Sequence, residues 1–133
     1  ELLDIADIAT PHIAGYSADG KAKGTAMVVN ALSRFFDLGL NNWEPEDVPL
    51  PEITEINIDC SDIDAEQVLC EAILATYNVE NDDRRLRAST GTFEQQRGEY
   101  PLRREFHAYT VNLTNEHSDI KRVLMKMGFK VNS

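Results

Sequence analysis

Ile8-Ala9-Thr10-Pro11-His12-Ile13-Ala14-Gly15-Tyr16-Ser17 is the stretch on which the reading of this chain turns. Residues 7 to 10 predict a short apolar strand, followed by a stiffened turn and the start of a helix. Pro11 fixes its own φ and pushes Thr10 toward extended geometry, while Gly15 permits a backbone approach that any side chain would obstruct. A histidine held in such a turn is a candidate general acid or base. Its unperturbed pKa lies near neutrality, and the turn limits where its ring can point. Taken alone, a histidine after a proline is more often an ordinary loop residue, so the assignment depends on its flanks.

Downstream of this stretch, Ser17 can offer its hydroxyl to the free N–H groups of a first helical turn. The helix is expected to reach about Leu38, because Val28, Val29, Leu32, Phe35 and Phe36 recur at three- and four-residue spacing. Gly24 inside it costs ~1 kcal/mol relative to alanine, which suggests a face where something packs closely. Upstream, the chain opens on Glu1, and Glu1-Leu2-Leu3-Asp4 reads like a helix entered midway, so a piece of something longer is expected.

The net charge of −10 argues against a general nucleic-acid binder, which needs a basic footprint against phosphates. No apolar run approaches the length of a membrane span, and no signal-peptide pattern occurs, so a cytoplasmic chain is expected. Cys60 and Cys70 form neither a disulfide framework nor a ligand-spaced set, so buried free thiols and no metal are expected. Acids concentrate between Glu44 and Asp83, whereas Arg84, Arg85, Arg87, Arg97, Arg103 and Arg104 follow in one window. Six arginines invite a phosphate-site reading. Neutralisation by neighbouring acids explains them more simply, and they are left unassigned to substrate.

Residues 40–52, with Pro45, Pro49 and Pro51, read as a stiff, solvated linker pinned by Trp43. Ile56, Ile58 and Cys60 then alternate with Glu55, Asn57 and Asp59, as in a strand, and Asp62 or Asp64 caps a helix to about Asn78. Asn81-Asp82-Asp83 looks like a turn, Arg84 to Ser89 an arm or helical turn, and Thr92 to Gly98 a short helix capped by Thr92. Residues 105–113 alternate as a strand with apolar groups on both faces, hence a central one. A last helix spans roughly Glu116 to Met127, ended by Gly128, and Phe129 to Val131 closes with a strand. Residues 53–133 are therefore expected to form a small α+β domain with helices against an antiparallel sheet.

Thr-Pro-His-x-Ala-Gly at positions 10–15 resembles the final motif of the NAD-dependent D-isomer-specific 2-hydroxyacid dehydrogenases. The continuation Tyr16-Ser17, Asp19-Gly20-Lys21-Ala22 and Gly24-Thr25 narrows the resemblance to the member of that family that serves vitamin B6 synthesis. The resemblance implies His12 as the catalytic acid–base, Gly15 against the nicotinamide end of NAD, and Tyr16 in the site of a small phosphorylated hydroxy-acid substrate. It implies that residues 1–39 are an α/β remnant, the last strand and return helix of a Rossmann-type NAD-binding domain. Residues 53–133 would be a C-terminal dimerisation domain, making a homodimer. The glutamate that pairs with the histidine, the arginine for the substrate carboxylate and the Gly-x-Gly-x-x-Gly turn would all precede Glu1, so the isolated chain is expected to be inactive. A regulatory small-molecule module or a pure dimerisation module is the alternative for residues 53–133.

Overall fold

The computed structural model describes residues 2–115 and 119–132. A short helix α1 (Leu2–Ile5) precedes the His12 turn, and a long helix α2 (Ala18–Phe36) follows it. Strand β1 (Glu55–Asp59) leads into α3 (Ala65–Thr76), α4 (Val79–Ala88) and α5 (Phe93–Gly98). Strand β2 (Thr110–Thr114), helix α6 (Ile120–Met127) and strand β3 (Lys130–Asn132) complete the chain.

The three strands form one sheet in the order β1-β2-β3, and both pairings are parallel. This overturns the expected antiparallel sheet, although helices do pack against it. The physical reason lies in the connections. Helices α3 to α5 separate β1 from β2, and α6 separates β2 from β3, so each connection carries the chain back to the end where it started. Helix–strand alternation of this kind favours parallel crossovers. β2 is central, as expected, although only its Val111 and Leu113 face is apolar.

One face of the sheet carries the core. Ile56, Ile58, Tyr109, Val111 and Leu113 pack with Val68 and Ala72 of α3, with Ile120 and Leu124 of α6, and with Phe129. The other face is polar: Asn57, Asn112 and Asn132 stand in register and form an amide ladder, Asn112 Nδ2 to Asn57 Oδ1 at 2.9 Å and Asn132 Nδ2 to Asn112 Oδ1 at 3.0 Å. Caps form where short polar side chains precede the helices. Asp64 and Gln67 make a reciprocal capping box at α3. Ser17 Oγ accepts from Gly20 N at 3.0 Å, and Gly128 ends α6 in the left-handed region at φ 108°.

Several local expectations are corrected. Residues 7–10 do not form a strand; the Ala9 N–H donates to Asp83 Oδ1 at 2.8 Å instead of to a neighbouring strand. Residues 81–83 are not a turn, and Arg84 to Ala88 are helical rather than an arm; all belong to α4, whose Asp82–Arg85 and Asp83–Arg87 pairs replace the missing apolar stripe. The strand expected from 105 starts at Thr110, because Phe106–Ala108 form a 3₁₀ turn with the Phe106 ring stacked on Phe129 at 4.5 Å. Thr92 precedes α5 without a side-chain cap. Cys60 is buried, but Cys70 is exposed. The close backbone approach in α2 occurs at Gly20, where a Cβ would meet Gly15 O at 3.0 Å; Gly24 faces open space. The first turn expected for the last helix, residues 116–118, lies outside the described residues.

Trp43 is held at its backbone rather than by its ring: Asn30 Oδ1 accepts from Trp43 N, and Asn30 Nδ2 donates to Trp43 O, both at 2.7 Å. Helix α2 buries Ala26 and Ser33, and leaves Met27, Val28, Leu32, Phe35 and Phe36 exposed. No helix among the described residues is long and apolar enough to cross a membrane.

Candidate active site

The turn that carries His12 works by alternation. Pro11 and Ile13 are buried, and His12 between them is exposed with φ 57°, in the left-handed region. The His12 N–H donates to Thr10 O at 2.8 Å, closing a tight turn around Pro11. The apolar neighbours hold the backbone while the imidazole faces solvent. Gly15 follows at φ 73°, and among the described residues nothing lies within 4 Å of the position a Cβ would occupy, so the backbone there is open. Tyr16 N donates to Ile13 O at 3.0 Å and brings the phenol back against the protein.

Tyr16 sits in an aromatic and cationic setting. Its ring stands edge-on to Tyr100 at 5.8 Å, and the Lys21 ammonium lies 4.3 Å above it. Its hydroxyl accepts from Arg97 Nη2 at 3.4 Å. Arg97 is 81 residues away in sequence. No spacing rule on the sequence connects the two.

Two clamps fix this loop to the rest of the chain. On one side α4 holds the segment before His12. Asp83 accepts from Ala9 N and from Arg87 Nε, and Arg87 also donates to the carbonyls of Leu3 and Ala6. The Ala9 N–H, with Arg87, holds the Asp83 carboxyl below its ordinary range, against a smaller opposing effect of desolvation.

On the other side, Asp19 in the first turn of α2 receives Arg104 bidentately, Nε to Oδ2 at 2.9 Å and Nη2 to Oδ1 at 3.0 Å. Glu105 N donates to Oδ2 at 2.7 Å, and His107 Nε2 lies 3.2 Å from Oδ1. The side chains of Arg104 and Asp19 are only 7% and 6% exposed, so this is an interior pair. Burial pushes the Asp19 carboxyl up, but the bonds from Arg104 and Glu105 and the charges of Arg104 and His107 outweigh it, leaving the group below its ordinary value. Ser17 Oγ to Glu105 Oε1 at 2.5 Å and Ala18 N to Arg103 O at 2.8 Å finish the clamp.

The structure therefore brings His12, Gly15 and Tyr16 into one loop and adds Arg97, Asp19 and Arg104, which sequence reasoning left unassigned. Among the described residues no carboxylate pairs with His12, and no group of three or more His, Cys, Asp or Glu could hold a metal ion. Chemically, the loop presents a solvent-facing imidazole, a bare stretch of backbone and a phenol next to a guanidinium.

Known proteins bear on this arrangement. Residues 48–128 match the family model described as a domain of unknown function, DUF3410. The chain is 45% identical over 122 residues to a protein named erythronate-4-phosphate dehydrogenase from Porphyromonas gingivalis, covering 91% of this chain and 32% of that relative. Proteins of the same name from Bacteroides thetaiotaomicron and Marinobacter nauticus are 42% and 33% identical, covering 84% and 98% of this chain and 29% and 36% of those relatives. The chain thus spans about a third of the length of the curated relatives it matches. Over most of its length it is homologous to erythronate-4-phosphate dehydrogenases, and it belongs to the family that the DUF3410 domain defines.

Proposed function

We propose that the chain is the C-terminal part of an NAD-dependent oxidoreductase that converts 4-phospho-D-erythronate to 2-oxo-3-hydroxy-4-phosphobutanoate in pyridoxine biosynthesis. The observation that carries the proposal is the loop itself, which presents His12 outward between buried Pro11 and Ile13 and leaves Gly15 bare. His12 takes the proton of the 2-hydroxyl oxygen onto a ring nitrogen as the C2–H bond breaks, and in the reverse direction it returns that proton to the ketone oxygen. NAD, when bound, supplies the hydride acceptor. The residues present fit that group at one point: Gly15 allows a close approach of the nicotinamide end. Tyr16 hydrogen-bonds the substrate through its hydroxyl. Residues 1–39 close the nucleotide-binding domain in this reading, 40–52 link, and 53–133 join two copies into a homodimer. The modest core of that last unit, with Leu74, Leu102 and Met125 exposed, supports pairing. A cytoplasmic enzyme fits two cysteines left as free thiols.

The experiment is an NAD-reduction assay on the longer protein that carries this chain, with 4-phosphoerythronate and with other 2-hydroxy acids. Preferred turnover of the phosphorylated acid, with the 2-oxo acid as product, is expected. Turnover of unphosphorylated 2-hydroxy acids alone overturns the proposed substrate, and no NAD reduction overturns the activity.

A further inference from the structure

The arginines between 84 and 104 differ in what occupies their guanidinium edges. Arg87 is taken up by Asp83 and two backbone carbonyls, and Arg104 by Asp19 and the carbonyls of Val48 and Pro49. Arg84 is bonded to Asn81 and Glu80, Arg85 to Asp82, and Arg103 lies 4.5 Å over the Tyr77 ring. Arg97 is different. Its Nη1 meets the carboxylate of Glu94 at 3.1 Å, and that partner is 81% exposed. Among the described residues its Nη2 reaches only the Tyr16 hydroxyl, at 3.4 Å, the outer limit of a hydrogen bond, and its buried Nε meets no partner.

We propose that the Nε–Nη2 edge of Arg97, together with the Tyr16 hydroxyl, is a subsite for a phosphate monoester, and that it receives the phosphate end of the substrate. The identity of the ligand rests on the dehydrogenase reading above; the oxyanion chemistry does not. The Nε–Nη2 edge is a two-donor fork that fits two oxygens of one phosphate side-on, which a lysine cannot do. An oxyanion there satisfies the buried Nε and takes over an edge that the phenol holds only loosely. Lys21, over the Tyr16 ring, adds positive charge at the same place in an otherwise acidic chain. Glu94 is free to swing away because its carboxylate lies in solvent. In this assignment α5 belongs to the substrate site as well as to the C-terminal unit.

The test has two arms. In the first, the 133-residue chain is titrated with inorganic phosphate while the Arg97 Nε–H and Tyr16 ring signals are followed by NMR. Saturable shifts at both groups are expected, lost in Arg97→Gln and weakened in Arg97→Lys, which keeps the charge but not the fork. Absence of shifts in the unsubstituted chain, or equal binding in the Lys variant, overturns the subsite even if the Gln variant fails to fold. In the second arm, the longer protein carrying Arg97→Lys is assayed. KM for 4-phosphoerythronate is expected to rise about tenfold to hundredfold, the range that loss of a charged hydrogen bond implies, with KM for NAD unchanged and the preference for the phosphorylated acid over erythronate reduced. An unchanged KM for the phosphorylated acid overturns the proposal. If the unsubstituted protein reduces no NAD but phosphate still saturates the Arg97 edge, the dehydrogenase reading fails and the subsite stands.

Discussion

Replacing Asp19 with Ala strips the interior clamp of its acceptor and leaves the Arg104 guanidinium, 7% exposed, without its counter-charge. Removing one member of a buried, hydrogen-bonded ion pair costs about 3–5 kcal/mol, and the Glu105 N–H loses its acceptor as well. The loss falls on the contact between the start of α2 and residues 103–107, so native-state hydrogen exchange is the assay. The Ala18 amide, which donates to Arg103 O at 2.8 Å, and the Glu105 amide should exchange roughly a hundredfold to a few thousandfold faster. Asp19→Ala combined with Arg104→Met should cost less than the sum of the two single changes, because no unpaired charge remains. Acid provides an independent check. The folded Asp19 carboxyl lies below its ordinary value of 3.8, so its contribution is present above that value and is lost as pH falls through the folded pKa. Asp19→Asn should remove this part of the acid transition. Exchange at Ala18 and Glu105 that rises less than about threefold in Asp19→Ala would refute the reasoning.

Base should act on a different cluster. Tyr77 and Tyr100 both donate to the buried carboxylate of Asp82, and burial first, then that carboxylate, raises both phenols above their ordinary value of 10.0. The sign is that their contribution is present below pH 10.0 and is lost as pH rises through the folded values; ultraviolet titration should show these two phenols late, together with Tyr109, which burial also raises, and Asp82→Asn should bring Tyr77 and Tyr100 earlier. Leu124→Ala, at a fully buried position of α6 against the sheet, should cost about 2–5 kcal/mol in urea unfolding, and a loss below about 1 kcal/mol would contradict its place in the core. Calorimetry on the 133-residue chain should detect no stoichiometric micromolar NAD binding, because the sequence holds no Gly-x-Gly-x-x-Gly turn to cradle the pyrophosphate; such binding would contradict the assignment of the pyrophosphate site to residues outside this chain.

How much was legible in the sequence differed by element. The α3 capping box, the Ser17 cap, the Gly128 stop and the eBeBe burial of β1 follow from local rules about which side chains satisfy free backbone groups and which face is apolar. Helix α4 escaped because only Val79, Leu86 and Ala88 interrupt its polar run; ion pairs and docking on residues 3–9 hold it, and neither has a periodic signature. Sheet direction was recoverable from the helices between strands, a rule of connectivity rather than of any residue. The site divided in the same way. His12, Gly15 and Tyr16 are contiguous and carry a motif, whereas the bonds of Tyr16 to Arg97 and of Asp19 to Arg104 span 81 and 85 residues and depend on the folded chain.

The most direct measurement of the central claim is the kinetics of His12→Gln in the longer protein, set beside its NAD affinity. The account predicts that kcat for 4-phosphoerythronate oxidation falls about a hundredfold to ten-thousandfold, the range for loss of a general acid–base, while the NAD dissociation constant stays close to that of the unsubstituted protein. Near-normal turnover in His12→Gln would contradict it.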